Sequence, residues 1–196
     1  MTTIGVLAVQ GAFREHIDIL NRLEVDVFEI RKPSDLSRHM DGLVLPGGES
    51  TVIGKLLRDL DMFDTVRNMI SDGLPVMGTC AGMILLADRL SNDDRSHLST
   101  MPITVRRNAY GKQLGSFSCT GRFADMDDVP MRFIRAPYVE ECRDGAEVLS
   151  MHDSHITSAR FGNQLALAFH PELTDDTRVH RYFLSMVDEN IRRQST

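Results

Sequence analysis

The sequence predicts an α/β protein: a mostly parallel sheet with helices on both faces, extended in its second half by antiparallel strands. Three observations carry this. Up to residue 90, short continuous apolar runs of strand length alternate with longer stretches of helical period, as in strands covered on both faces and joined by crossover helices. Past residue 100, short strand-like pieces follow one another directly, which favours antiparallel pairing. The last twenty residues return to the helical period.

Each element has its own reason. "TIGVLAV" (3–9) is an apolar run of strand length, and "AFREHIDILNRL" then sets Phe13, Ile17, Leu20 and Leu23 on one helical stripe. "VDVFEI" (25–30) reads as a second strand and "GLVLP" (42–46) as a third, ended by proline and glycines. Residues 51–60 and 62–72 read as helices, with Thr51 the expected N-cap of the first. "LPVMGT" (74–79) is a further buried strand and "AGMILLADRL" (81–90) a helix. Then come "ITVRR", "QLGSFSCTGRF", "MRFIRAP", "AEVLSM", "HITSARF" and "QLALAF" as strands, with Gly162–Asn163 a hairpin turn between the last two. The closing helix turns Val179, Phe183, Met186, Val187 and Ile191 inward. With no internal repeat, low-complexity tract or long linker, residues 1–196 are expected to form one domain.

Composition excludes several classes of function. Asp and Glu number 28 against 22 Lys and Arg, a net charge of −6. No cationic excess is available to neutralise phosphates, so nucleic acid is not the expected partner. No apolar run approaches the ~20 residues of a membrane span, and the N-terminus runs into a strand without a basic leader. Three scattered cysteines, Cys80, Cys119 and Cys142, do not make a disulfide framework. A reducing cytoplasm is therefore the expected location. No Cys or His pairs stand at zinc-ligand spacing, so neither a metal nor another cofactor is expected.

Chemistry concentrates in "VMGTCAGMILL" (76–86), where Cys80 lies between two glycines at a strand-to-helix junction. That is the context of a nucleophile elbow. The nucleophile's backbone is strained there, and side-chain-free residues at minus two and plus two, Gly78 and Gly82, relieve the crowding. N–H groups at the start of the following helix favour a thiolate. Cys119 and Cys142 have no such setting and read as structural. A nucleophile needs a base, and the base an orienting group. His16, His39, His97 and His180 fall on helices or polar loops, where a solvated side chain is expected, and His152 and His155 have no acidic partner at strand spacing. His170, in "LALAFHPEL", ends a strand among small neighbours, and Pro171 returns Glu172 to its side. Glu172 would then orient the imidazole, as the acid of a triad does. A third element, "LVLPGGEST" (43–51), ends a strand in Pro46-Gly47-Gly48. Its bare backbone can approach a ligand closely, and the N–H groups of Gly48 and Ala81 are the expected oxyanion hole over Cys80. A phosphate loop is disfavoured, because neither Gly-Lys-Ser/Thr nor G-x-G-x-x-G accompanies it.

The cysteine elbow, downstream His-x-Glu and upstream Pro-Gly-Gly together resemble the class I (triad) glutamine amidotransferases. Within that superfamily "GVLAVQGAFREH", "LPGGEST", "GTCAGMILLA", "RRNAYGKQ", "FIRAP" and "FHPEL", in this order from residue 5 to 173, resemble the glutaminase subunits of pyridoxal 5′-phosphate synthases. "GAFREH", "PGGEST" and "RNAYG" are the most specific of these. Ser118 departs from the pattern, standing where many relatives carry an acidic residue. The resemblance implies a flavodoxin-like three-layer fold and a glutamine hydrolase that delivers ammonia to a separate synthase subunit. It also implies catalysis by Cys80, His170 and Glu172. Glutamine would be held by Gly47, Gly48, Glu49, Arg107, Ile134 and Arg135. Charge agrees with this: a zwitterion wants an arginine for its carboxylate and an acid, Glu49, for its ammonium. Two alternatives stand beside it, the same chemistry serving another pathway and a non-catalytic binding module with Cys80 as a redox sensor. "GAFREH" and "RNAYG" argue against the first, and a glutamate-release assay separates the second.

Overall fold

The computed structural model describes residues 2–108 and 115–195. The first half alternates as the apolar runs require: β1 (Thr3–Leu7), α1 (Phe13–Arg22), β2 (Asp26–Ile30), a 3₁₀ turn (Pro33–Ser37), β3 (Gly42–Leu45), α2 (Ser50–Asp59), α3 (Phe63–Ser71), β4 (Val76–Thr79) and α4 (Ala81–Leu86). Short strands follow: β5 (Ala87–Leu90), β6 (Met101–Arg106), β7 (Ser116–Phe123), β8 (Met126–Ile134), β9 (Tyr138–Cys142), β10 (Glu147–His152), β11 (His155–Phe161) and β12 (Gln164–Leu167). A 3₁₀ turn (Pro171–Leu173) leads to the closing α5 (Arg178–Gln194).

The main sheet runs β2-β1-β3-β4-β12-β11-β9-β6-β5, with β10 paired to β11, and β7–β8 form a separate antiparallel ribbon. From β2 to β12 all neighbours are parallel, and from β12 through β11 and β9 to β6 they are antiparallel. The parallel half has the 2-1-3-4-5 order of a flavodoxin-like sheet. Both faces are covered. A Cβ placed on Gly42 of β3 would meet Phe183 and Val187 of α5, while Gly82 of α4 lies against Leu45 of the same strand. Residues 42 and 45 point to opposite faces, so α5 and α4 lie on opposite sides of the sheet. Leu43, Val44, Leu45, Val76 and Met77 are fully buried between them. The Gly162–Asn163 turn is present, with Phe161 paired to Gln164 across it.

Several expectations change. The first residue of α2 is Ser50, so its N-cap is Glu49 and not Thr51. The helix expected over 81–90 stops at Leu86, because residues 87–90 pair in parallel with β6 and leave the helical path. β9 was not anticipated: in "YVEEC" two adjacent glutamates interrupt the apolar residues, and it becomes a strand through its partners β6 and β11. The strand expected to begin at residue 113 begins at Ser116; residues 113 and 114, with most of "NAYGKQ", lie outside the described residues. On α1 the buried side chains are His16, Ile19 and Leu20, whereas Phe13, Ile17 and Leu23 are half-buried. Ile191 is likewise only half-buried, and His180 takes part in the inner face of α5.

Candidate active site

The carboxyl ends of β1, β3, β4 and β12 converge, and the residues leaving them line one open cavity of about 250 Å³. Ligands of open α/β sheets bind at this edge. Gln10 and Gly11 come from the turn after β1, Gly47, Gly48 and Glu49 from the turn after β3, Cys80 from the end of β4, and His170 from beyond β12. Arg107, Ile134 and Arg135 complete the wall.

Cys80 has a φ of +50° and ψ of −97°, a region that L-residues adopt only under constraint. Two contacts impose it. Its N–H donates to Leu167 O at 2.7 Å, tying the elbow to β12, and its carbonyl accepts from Ile84 N–H at 3.2 Å, tying it to α4. The flanking glycines are sterically required. A Cβ on Gly78 would lie 2.6 Å from the Gly82 carbonyl carbon, and one on Gly82 would overlap Leu45 O. Cys80 is 8% exposed, and its thiol donates a hydrogen bond to Ile134 O at 3.9 Å.

His170 is fixed by its backbone before its ring does anything: its N–H donates to Arg132 O of β8 at 2.8 Å. Pro171 opens a 3₁₀ turn, which folds Glu172 back under the imidazole. His170 Nδ1 and Glu172 Oε1 are 2.6 Å apart, both residues buried. Burial alone would lower the imidazole's pKa. The hydrogen bonds with Cys80 and Glu172 outweigh it and push His170 up to about 10. Glu172 moves the other way: burial works against ionisation, but His16 and His170 hold its carboxyl below the ordinary value. Cys80, His170 and Glu172 are thus brought together as the sequence predicted, with Nδ1 facing the acid and Cys80 close enough to the ring to raise its pKa.

The glycine loop packs as tightly as its composition suggests. A Cβ on Gly47 would overlap the His170 ring, and one on Gly48 would lie 2.5 Å from Gln10 Oε1. Ala12 N–H donates to Gly47 O at 2.9 Å, and Glu49 N–H donates to Gln10 Oε1 at 2.9 Å. Across a trans peptide the N–H points opposite to the C=O, so Gly48 N–H is aimed away from Ala12. Ala81, the first residue of α4, has an N–H with no acceptor inside its helix.

The charged residues are already paired. Arg135, at a φ of +42°, places its guanidinium 3.4 Å from the Glu49 carboxylate across the mouth, both side chains largely exposed. Arg107 pairs with Asp93, and its backbone is held on both sides by the Asn92 amide at 3.0 and 2.9 Å. Ser118 is exposed on β7.

Sequence reasoning missed the layer behind Glu172. His16, His97 and His180 are not solvated; all three are buried, and only His39 meets the expectation. His16 Nδ1 lies 3.0 Å from His180 Nε2, and His16 Nε2 lies 3.1 Å from Thr79 Oγ1 and 3.5 Å from Glu172 Oε2. His16 and His180 stand four and three residues from apolar neighbours on the inner stripes of α1 and α5. That periodicity was the available signal.

The fold and this cavity define a glutamine amidotransferase, and comparison with known proteins agrees. The chain belongs to the SNO glutamine amidotransferase family, whose model matches residues 6–189. It is 52% identical over 186 residues to the pyridoxal 5′-phosphate synthase subunit PdxT of Desulfitobacterium hafniense (strain Y51), covering 95% of this chain and 94% of that protein. The protein of the same name from Methanocorpusculum labreanum is 55% identical over 184 residues, covering 94% and 97%. Among solved structures, one described as a glutamine amidotransferase superposes with a TM-score of 0.89 at 41% identity, covering 94% of this chain and 98% of that one. A glutamine amidotransferase from Thermotoga maritima, at 14% identity and a TM-score of 0.63 over 99% and 85%, shares the fold.

Proposed function

We propose that this chain hydrolyses L-glutamine to L-glutamate and ammonia, and passes the ammonia to a synthase subunit that builds pyridoxal 5′-phosphate. The observation that carries the reading is the buried His170–Glu172 pair at 2.6 Å, set beside the strained Cys80 elbow in one cavity. Family membership and the PdxT relatives support the substrate and the partner.

Cys80 is the nucleophile. Its sulfur gives its proton to His170 and attacks the side-chain amide carbon of glutamine, and the carbonyl electrons move onto oxygen, where Gly48 and Ala81 N–H groups stabilise the charge. As the tetrahedral centre collapses, His170 gives its proton to the amide nitrogen and ammonia leaves, with a glutamyl thioester remaining on Cys80. His170 then takes a proton from water as that water attacks the thioester, and glutamate departs as the sulfur is released. Glu172 keeps Nδ1 protonated and supports the imidazolium. The amino-acid end of glutamine sits at the mouth. Its ammonium meets Glu49 and its carboxylate meets Arg135, with Arg107, which stays paired to Asp93, beside it, so binding exchanges the Glu49–Arg135 pair for pairs with the substrate. An exposed ion pair is worth only ~0–1 kcal/mol, so the exchange costs little. Gly47, Gly48 and the backbone of Ile134 line the floor.

Free ammonia would be protonated and lost as a nucleophile, so the partner is expected to cover this mouth, at Gln10 and Gly11. The hydrogen bonds from Ala12 to Gly47 and from Glu49 to Gln10 give such a partner a direct mechanical hold on the Gly47–Gly48 peptide. A glutamate-release assay, run with and without the synthase subunit, tests the reading. Cys80→Ala abolishes release but leaves the assembled synthase able to use ammonium salts. Undiminished release by Cys80→Ala contradicts the assignment.

A further inference from the structure

The buried pair His16–His180 belongs to no step of the mechanism above, and its cost needs a reason. Two imidazoles lie fully buried within 3.0 Å of each other, drawn from helices 164 residues apart. Where an apolar pair would pack without polar penalty, a histidine pair survives only if its donors and acceptors are used. The neighbours decide how they are used. His16 Nε2 faces Glu172 Oε2 at 3.5 Å and Thr79 Oγ1 at 3.1 Å. A carboxylate can only accept, whereas the Thr79 hydroxyl can accept as well as donate, so the arrangement that suits both neighbours puts the proton on Nε2. Nδ1 is then an acceptor, and His180 must donate to it from Nε2. His180 Nδ1, buried with no hydrogen-bond partner, is left as the unprotonated end of the chain. With this tautomer of each ring the His180–His16 and His16–Thr79 contacts are both hydrogen bonds, and both rings are neutral in it. Burial favours the same state, lowering the pKa of His16 and, more strongly, of His180.

We propose that His16, locked in its Nε2–H tautomer by His180, is a positioning residue that holds the Glu172 carboxylate so that Oε1 faces His170. The inference rests on the catalytic role of His170 and Glu172 proposed above. Glu172 Oε2 makes no hydrogen bond within normal distance. The electrostatic hold of the His16 N–H on that oxygen, together with the His170 bond on the other, fixes the carboxylate's rotation. The Thr79 hydroxyl bound to the same His16 nitrogen belongs to the residue before Cys80, so this one ring ties the acid to the nucleophile's strand. Removing it frees Glu172 to rotate. The imidazole of His170 then loses alignment with the leaving ammonia, which lowers kcat and leaves glutamine binding alone.

The test is a double-mutant cycle on glutamate release by the full chain with its synthase subunit. In the parent background His16→Leu lowers kcat about tenfold or more, the scale of losing one buried polar partner of a carboxylate, with KM changed by less than about twofold. His16→Gln, whose amide reaches the Nε2 position and donates there, recovers most of the loss. In the Glu172→Gln background His16→Leu costs less than about twofold, because its action runs through Glu172. The fraction of chains in which Cys80 reacts with a glutamine-derived diazo-ketone corrects each rate for misfolding. An equal cost in both backgrounds, or no rescue by His16→Gln, overturns the proposal while leaving the triad in place. Full activity of Glu172→Gln itself overturns the triad reading beneath it. Should His16→Leu fail to fold, His180→Leu takes its place in the cycle, since it acts on Glu172 only through the His16 tautomer.

Discussion

At Cys80 three residue-level facts coincide: a left-handed φ of +50°, a carbonyl acceptor for the thiol, and an imidazole braced by a carboxylate. Neither Cys119 nor Cys142 has a positive φ; Cys119 does lie 3.7 Å from the His152 ring, which pairs with Asp153, but burial, with Asp153 near Cys119 and Glu141 near Cys142, raises the pKa of both thiols. A glutamine-derived electrophile is therefore expected to label Cys80 and spare Cys119 and Cys142, and peptide mapping reads the outcome. His170 titrates upward of its ordinary value because its two hydrogen bonds outweigh burial, reaching about 10. Its charged form is favoured by folding, so its contribution to stability is complete below the ordinary value of 6.5 and is lost as pH rises towards 10. The His170 ring resonances, followed by NMR, are expected to titrate at a high midpoint in the parent and a lower one in Glu172→Gln. An unchanged midpoint would separate Glu172 from His170. In turnover, His170→Asn is expected to lose the ~10²–10⁴-fold that proton transfer supplies, and Glu172→Gln less. The cysteine, histidine and acid were legible because local chain geometry sets them: glycines at fixed offsets, and a proline between His170 and Glu172. For His16 periodicity could signal burial on the inner stripe of α1, but not its partners His180 and Glu172, which come from distant parts of the chain.

Among elements, the junction of β4 and α4 depends on two glycines more than on any side chain. Gly82→Ala would drive a methyl group into Leu45 O, and Gly78→Ala would press on the Gly82 carbonyl. Neither neighbour is a flexible side-chain end, so each substitution is expected to cost ~1–3 kcal/mol in denaturant unfolding, as overpacking does. A parent-like midpoint for Gly82→Ala would show that the junction relaxes. The strands and helices of the parallel half were readable because each is buried on both faces and carries its own apolar period. Residues 87–90 were misread as helix because "ADRL" suits either state, and pairing with β6 decides it. β9 was missed for a related reason: Glu140 and Glu141 interrupt its apolar residues, and long-range partners hold it.

In the whole molecule, the sheet order places four strand ends at one edge, and the β7–β8 ribbon closes over them through Arg132 O and Ile134 O. The mouth stays open to a partner. Adding the synthase subunit is expected to raise glutaminase turnover more than it lowers KM, because reorienting one oxyanion donor is worth ~10²–10³ in rate. Equal turnover by the free chain would remove the gating role of the Gly47–Gly48 peptide and leave the chemistry untouched. Among the described residues no helix is long and apolar enough to cross a membrane. The central claim is that glutamine is cleaved through a thioester on Cys80. Acid-quenching the complex during turnover with glutamine, followed by peptide mass spectrometry, tests it most directly. The account predicts a mass increment of glutamine less ammonia on the peptide carrying Cys80, lost in Cys80→Ala. The increment on Cys119 or Cys142, or steady turnover of the parent complex with no increment on the Cys80 peptide at any quench time, would contradict it.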